Sequence, residues 1–323
     1  MAVAYRAYAP ASAANLSVGF DLLGLALAPV SGEPLGDFVT ASAPQSGGGG
    51  DEIVAEGRYR HMLPEDPASN ILHDAVTLFN QRLQELDREP QRVRLVLDKG
   101  LPVCSGLGSS AASVVAAVAA LNAWYGSPFD RDQCAHLMGE LEGRISGSVH
   151  YDNVAPSYFG GLQLIADEPG VISQTLQFFD GWYIVSCFPG VRISTAQARA
   201  ILPAQYRRQD AIAFARRLAL FVHACHIQDE ALAARCMVDV IAEPYRARLI
   251  PNFHRCCEHA GGLGAIATGI SGSGSSVFSL FRDERRAADM LAYMERNFIC
   301  SEDGFAHICK TDKQGTRVER IEV

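Results

Sequence analysis

The stretch that most constrains this chain is Leu101-Pro102-Val103-Cys104-Ser105-Gly106-Leu107-Gly108-Ser109-Ser110-Ala111-Ala112. Before it, Val93, Leu95 and Leu97 alternate with Arg92 and Arg94, the period-two pattern of a strand. After it, Ala111 to Leu121 is a run of small and β-branched apolar residues, long enough for a buried helix. The order is therefore strand, glycine loop, helix N-terminus. A helix N-terminus leaves backbone N–H groups unpaired and carries a partial positive charge. Gly106 and Gly108 allow the backbone to turn sharply and to come close to a ligand. Ser109 and Ser110 add hydroxyls suited to a phosphate or a phosphate-bound metal. These features predict an anion site, with nucleotide phosphates as the anion. No Lys follows Gly108, which excludes a Walker A loop, and the third glycine of a dinucleotide fingerprint is missing. The same pattern also fits a capped helix in a tight loop that binds nothing.

Length and charge narrow the classes. A chain of 323 residues predicts two domains, and the turn Asp167-Glu168-Pro169-Gly170 places the division at 1–166 and 167–323. A net charge of −8 gives no basic footprint for nucleic acid, so an anionic substrate needs a local cationic pocket. Nine cysteines without a C-x-x-C pair predict reduced thiols in a cytoplasmic protein, with no disulfide framework and no zinc ribbon. No signal pattern and no membrane span are read from the sequence.

Along the chain, a strand and loop lead through Ala9-Pro10 to Asn15, Gly19-Phe20-Asp21 and a strand near Leu22 to Leu27. Asn15 and Asp21 read first as turn residues. Ser46 to Asp51 reads as a flexible glycine loop, and Ile71 to Leu86 as an amphipathic helix with Leu72, Val76 and Phe79 on one side. Helices are expected over 129–141, 195–202, 208–225 and 283–298, the third with a core-facing stripe at Ala211, Phe214, Ala215, Leu218 and Phe221. Strands are expected over 159–165, 182–188, 277–281 and 305–310. This mixture without repeated βαβ units predicts an α+β protein. Glu140 and Glu142 end one helix, and a carboxylate there suits Mg²⁺, which takes one or two carboxylates plus phosphate oxygens. Solvated carboxylates and a turn at Asp152 fit the same residues, and His150 reads as structural. Arg199 and Arg246, near helix boundaries, are candidates to clamp a carboxylate. His223, Cys225 and His226 form only a weak metal pattern.

Taken together, Pro102 to Ala111 resembles the phosphate loop of the GHMP kinases, named for galactose, homoserine, mevalonate and phosphomevalonate. Ala9-Pro10 to Asn15 with Gly19-Phe20-Asp21 resembles their N-terminal motif, and Gly269 to Ser276 their C-terminal glycine motif. Asp152-Asn153-Val154-Ala155-Pro156 and Ala198-Arg199-Ala200-Ile201-Leu202-Pro203 resemble the homoserine kinases within that family. The resemblance extends from about Tyr8 to about Cys309. It implies a two-domain α+β architecture, with a βαβ phosphate-loop unit in the first domain and a ferredoxin-like sandwich in the second. It also implies ATP-dependent phosphorylation of the L-homoserine hydroxyl, with ATP and Mg²⁺ as cofactors, in threonine biosynthesis.

By the same resemblance, Pro102, Val103, Cys104, Ser105, Gly106, Leu107, Gly108, Ser109, Ser110, Ala111 and Ala112 wrap the nucleotide, with Asn70 near it. Lys99 is expected beside the nucleotide as a catalytic cation. Ser110 and Glu142 hold Mg²⁺, with Glu142 preferred to Glu140 because it lies eleven residues before Asn153. Asn15, Asp21, Asn153, Arg199 and Arg246 form the amino-acid site, with Asp21 for the ammonium and the arginines for the carboxylate. Asp152 is the candidate base, the alternative being proton transfer to the γ-phosphate without one. The chain departs from the family pattern at Cys104, often Gly, and at Ser275, usually Pro. The expected partners are the small-molecule acceptor and a second copy of the chain, with no nucleic acid and no membrane.

Overall fold

The computed structural model describes residues 3–45, 49–64, 66, 69–147 and 149–322. Of the expected glycine loop, Ser46 to Gly48 lie outside the described residues. Strands β1 (Val3–Pro10), β2 (Ser12–Ala14), β3 (Leu23–Pro29), β4 (Gly36–Ser42) and β5 (Glu52–Glu56) precede α1 (Ile71–Glu85) and β6 (Arg94–Asp98). Helices α2 (Ser109–Trp124), α3 (Arg131–Ser146) and α4 (Val154–Phe159) lead to β7 (Leu162–Glu168), β8 (Val171–Leu176) and β9 (Tyr183–Phe188). Next come α5 (Thr195–Ala200), α6 (Arg208–Ile227), α7 (Glu230–Cys236), α8 (Glu243–Arg246) and α9 (Phe253–Gly262). The order ends with β10 (Ala267–Ile270), β11 (Val277–Phe281), α10 (Glu284–Asn297), β12 (Phe305–Thr311) and β13 (Arg317–Glu322).

Two sheets carry the fold. A five-stranded sheet runs β13-β1-β4-β6-β5, and an eight-stranded sheet runs β10-β11-β9-β12-β3-β7-β8 with β2 paired to β3. Within the first sheet only β5 and β6 are parallel, joined by the α1 crossover that a parallel pair requires. Helix α2 follows directly and is apolar on every side, so it must be covered on every side. From Ala111 to Leu121 it is buried, enclosed by β1, β4, α1 and α3. Its small side chains let those elements approach closely and leave its N-terminus beside the glycine loop. Helix α1 buries Leu72, Val76, Phe79 and Leu83, spaced three and four apart, and is capped by the Asn70 side chain.

Two expectations meet a different arrangement. Helix α6 buries only Phe221, Ala224 and Cys225; Ala211 and Ala215 are exposed, and Phe214 and Leu218 are half-buried. Its apolar stripe is real, but α7 and β8 cover only part of the helix. The turn at 167–170 is a hairpin joining the paired strands β7 and β8, so strand pairing does not part the chain there. Moreover, β3 from the first half lies inside the second sheet, while β13 returns to the first. All nine cysteines are free. Among the described residues, no helix is long and apolar enough to cross a membrane.

Candidate active site

The glycine loop takes backbone conformations that its sequence permits. Gly106 and Gly108 have φ of +82° and +67°, and Cys104 adopts +58° where glycine would be unstrained. A Cβ on Gly106 would lie 2.4 Å from the Ser271 carbonyl oxygen, and one on Gly108 would lie 2.2 Å from Ser12 Oγ. The loop carbonyls are engaged by the protein. Cys104, Ser105 and Leu107 accept from the N–H groups of Ile193 (3.0 Å), Ser276 (2.9 Å) and Ser12 (3.1 Å). Gly106 accepts from Ser271 Oγ at 2.7 Å. The second Gly/Ser segment thus braces the first. Gly108 is the N-cap of α2 and supplies no side-chain cap, so the helix's leading N–H groups remain available to an anion.

Lys99 borders the cavity beneath the loop, but its ammonium is engaged by the protein. It is 1% exposed and its ammonium is committed to Asp37 Oδ2, the Ser109 carbonyl (2.9 Å) and Ser113 Oγ (2.9 Å). All three N–H donors are consumed beneath the loop, leaving none directed at a ligand.

Two of the carboxylates that face the cavity, Glu142 and Asp152, are shifted by burial. Ser110 Oγ donates to Glu142 Oε1 at 2.8 Å, whereas Glu140 pairs outward with Arg82 and Arg144 at 3.0 and 3.1 Å. Burial pushes the Glu142 carboxyl up to about 7, against the opposing effect of the Ser110 hydrogen bond. Asp152 is also pushed up to about 7, first by burial and then by the Asp21 charge, with Arg199 opposing. Among the described residues, no cluster of three or more His, Cys, Asp or Glu could hold a metal, including around His223 and His226. A hydroxyl and a carboxylate in contact nevertheless form a hard-oxygen donor set of the kind Mg²⁺ accepts when phosphates complete its shell. The residues fit that ion.

The other end of the cavity is built on a strained turn. Asn15, Leu16 and Ser17 have φ of +73°, +44° and +61°, and Asp21 has +58°. Left-handed backbone at successive non-glycine residues costs roughly 1–2 kcal/mol each, so other contacts must impose it. Asn15 Nδ2 donates to the Gly272 carbonyl (3.0 Å), and Asn15 Oδ1 accepts from the Asp21 N–H (2.9 Å). Asp21 is thereby aimed at Arg199, whose two terminal amines donate to both carboxylate oxygens at 2.9 and 3.2 Å. Among the described residues, buried Arg199 Nε has no hydrogen-bond partner. Arg246 is 3% exposed, held by the Ala198 and Gly272 carbonyls at 3.0 Å each and stacked over Phe20. Asn153 Oδ1 accepts from Ser12 Oγ at 2.9 Å.

One cavity of about 550 Å³ collects Asn15, Asp21, Asn70, Lys99, Glu142, Asp152, Asn153, Arg199 and Arg246 with loop residues 103–106 and 108–110. Pro102, Leu107, Ala111 and Ala112 do not line it; they are buried behind it. Sequence reasoning missed Asp74, Ser113, Arg144, Ser194 and Thr195 on its wall. The Ser194–Gln197 capping box at α5 was a readable signal for one of them; the others carry none. His150 is half-buried on the same wall, its imidazole held below the usual range by burial and then by the Arg199 charge.

An uncapped helix N-terminus at one end of this cavity and paired charges at the other suit a phosphotransferase for small molecules. The chain belongs to the GHMP kinase family: the GHMP kinases N terminal domain matches residues 70–161 and the GHMP kinases C terminal domain residues 221–300. It is similar to a homoserine kinase from Cytophaga hutchinsonii, with 32% identity, TM-score 0.87, and coverage of 98% of this chain and 97% of that one. A candidate homoserine kinase from Listeria monocytogenes shares 22% identity, with TM-score 0.69 and coverage of 98% and 100%. Mevalonate kinase from L. major, solved with R-mevalonate, shares 14%, with TM-score 0.67 and coverage of 95% and 96%.

Proposed function

We propose that the protein transfers the γ-phosphoryl group of ATP to the side-chain hydroxyl of L-homoserine, giving O-phospho-L-homoserine and ADP for threonine synthesis. The observation that carries this reading is the two-point contact between Asp21 and Arg199 at the cavity wall, with buried Arg246 beside it. An α-amino acid carries one ammonium and one carboxylate. It can exchange that internal ion pair for two, giving its ammonium to Asp21 and its carboxylate to the guanidinium groups. A simple carboxylic acid that draws Arg199 away leaves half-buried Asp21 unmatched, and a sugar makes no use of the Asp21–Arg199 pair. Similarity to a homoserine kinase at 32% identity supports the same substrate.

The residues divide the work of phosphoryl transfer, which is largely positioning and charge neutralisation. Loop N–H groups and the leading turn of α2 receive the phosphates. Ser110 and Glu142 would hold Mg²⁺, which when bound neutralises developing charge on the phosphate oxygens. Asp152, held near neutrality, accepts the hydroxyl proton as the new O–P bond forms. The test is ADP release with Mg-ATP and, in parallel, L-homoserine, D-homoserine, mevalonate and galactose. Turnover with L-homoserine alone is expected; turnover only with mevalonate or galactose overturns the acceptor assignment.

A further inference from the structure

Asp37 sits on β4, 0% exposed, and does not line the cavity. Its oxygens serve two separate segments. Oδ1 accepts from the backbone N–H groups of Gly100 (2.9 Å) and Leu101 (3.0 Å), where the chain leaves β6 for the glycine loop. Oδ2 accepts from Lys99 Nζ and from Ser113 Oγ (2.6 Å), and Ser113 belongs to the second turn of α2. Lys99 extends the tie by donating to the Ser109 carbonyl at the start of that helix (2.9 Å). A single carboxylate therefore grips both ends of the phosphate loop.

We infer that Asp37 is a positioning residue for phosphoryl transfer, its ion pair with Lys99 fixing the spacing and orientation of the two ends of the loop that receives ATP. The inference rests on the reading of that loop as the ATP phosphate site.

Energetics argue for positioning over stability alone. A buried ion pair is weak evidence for stability, because an apolar pair of similar volume often serves as well. An apolar pair cannot direct two backbone N–H groups, a hydroxyl and an ammonium onto fixed points. The surrounding backbone is already close: a Cβ on Gly100 would lie 2.1 Å from the Gly36 carbonyl, and one on Gly57 would lie 2.5 Å from the Lys99 nitrogen. Small shifts at the anchors consequently pass into the loop instead of being absorbed. Donors for a transferring phosphoryl group must be held to within about 0.5 Å.

The decisive variant is Asp37→Asn, which preserves shape but loses the charge and turns one acceptor into a donor facing Lys99. Equilibrium binding of Mg-ATP, steady-state constants and thermal melting are measured on the full chain. We expect the ATP Kd and KM to rise at least tenfold, with the L-homoserine KM changed less than twofold. Ser113→Ala should move ATP binding in the same direction by a smaller factor. Adding Lys99→Met to Asp37→Asn should worsen ATP binding little further, because both changes cut the same tie. A lowered melting temperature with unchanged ATP Kd and kcat would overturn the inference and leave Asp37 merely structural. If Asp37→Asn does not fold, an unchanged ATP Kd in Ser113→Ala overturns it equally. Failure of the unmodified protein to bind Mg-ATP is a separate result: it removes the phosphate-site reading and the clamp's role with it.

Discussion

Asp152→Asn should make the protein more stable and less active, and the burial of Asp152 sets the size of the first effect. In the fold the Asp152 carboxyl rises from 3.8 to about 7, principally because burial disfavours its charged form. A carboxyl whose pKa is raised by folding contributes stability at acidic pH, and that contribution is lost as pH climbs from its unfolded to its folded value. Ionising it in place above pH 7 costs roughly 4 kcal/mol, at about 1.4 kcal/mol per pH unit of displacement. Asparagine keeps the shape and can still accept the backbone N–H groups of residues 152 and 153. It carries no charge, so the variant should match the parent near pH 4 and gain progressively up to pH 7. With unfolding entropy near 2 cal/mol/K per residue, the full gain raises the melting temperature by on the order of 5 °C. Differential scanning calorimetry across pH 4–8 measures this. A stability difference that does not vary with pH would refute the reasoning. Over the same range, kcat should fall by about 10²–10⁴ in the variant, and kcat/KM of the parent should decline as pH drops below about 7. A variant with near-normal kcat would route the proton to the phosphate without a protein base.

Glu142→Ala should lower Mg²⁺-dependent turnover by orders of magnitude with the fold intact, whereas Glu140→Ala, which removes only the contacts to Arg82 and Arg144, should stay near the parent; equal losses would reassign the metal ligand. Arg199→Ala or Arg246→Ala should raise the L-homoserine KM by roughly 10- to 100-fold, from about 1.5–3 kcal/mol of lost charged hydrogen bonding, and leave the ATP KM unchanged. An L-homoserine KM that moves in neither variant would place the carboxylate elsewhere. Gly106→Ala forces a Cβ to within 2.4 Å of the Ser271 carbonyl at a φ of +82°, so ATP affinity and melting temperature should both fall; a silent substitution would mean that the two loops are not braced together.

The centre of the fold was legible because its pattern changes abruptly. Alternation in the strand before Leu101, two glycines and an all-apolar helix can be satisfied by few arrangements, and β6, the loop and α2 follow them. The last strand was not legible: the β13 residues are mostly exposed, so no burial pattern marks it. Helix α6 misled for the opposite reason, since an apolar stripe says that a helix can pack, not how much of it does. Many residues of the cavity wall were readable and their pairings were not. Asp21 and Arg199 were assigned to opposite ends of a substrate, yet they hold one another across 178 positions of sequence. Lys99 beside a phosphate loop reads as a ligand until its counter-charge is known. That counter-charge, Asp37, lies 62 positions earlier in a strand with nothing to distinguish it.

Strand β3 has a mechanical consequence. It is hydrogen-bonded to β12 on one side and β7 on the other, so the eight-stranded sheet runs unbroken from one half of the chain to the other. Rotating the halves as two rigid jaws would tear main-chain hydrogen bonds along that seam. The turn bearing Asn15 and Asp21 leads directly into β3, so that side of the cavity is anchored on the seam between the two halves. Access to this side of the cavity is then governed by side-chain and loop rearrangement, such as opening of the Asp21–Arg199 contact, more than by rotation of the two halves.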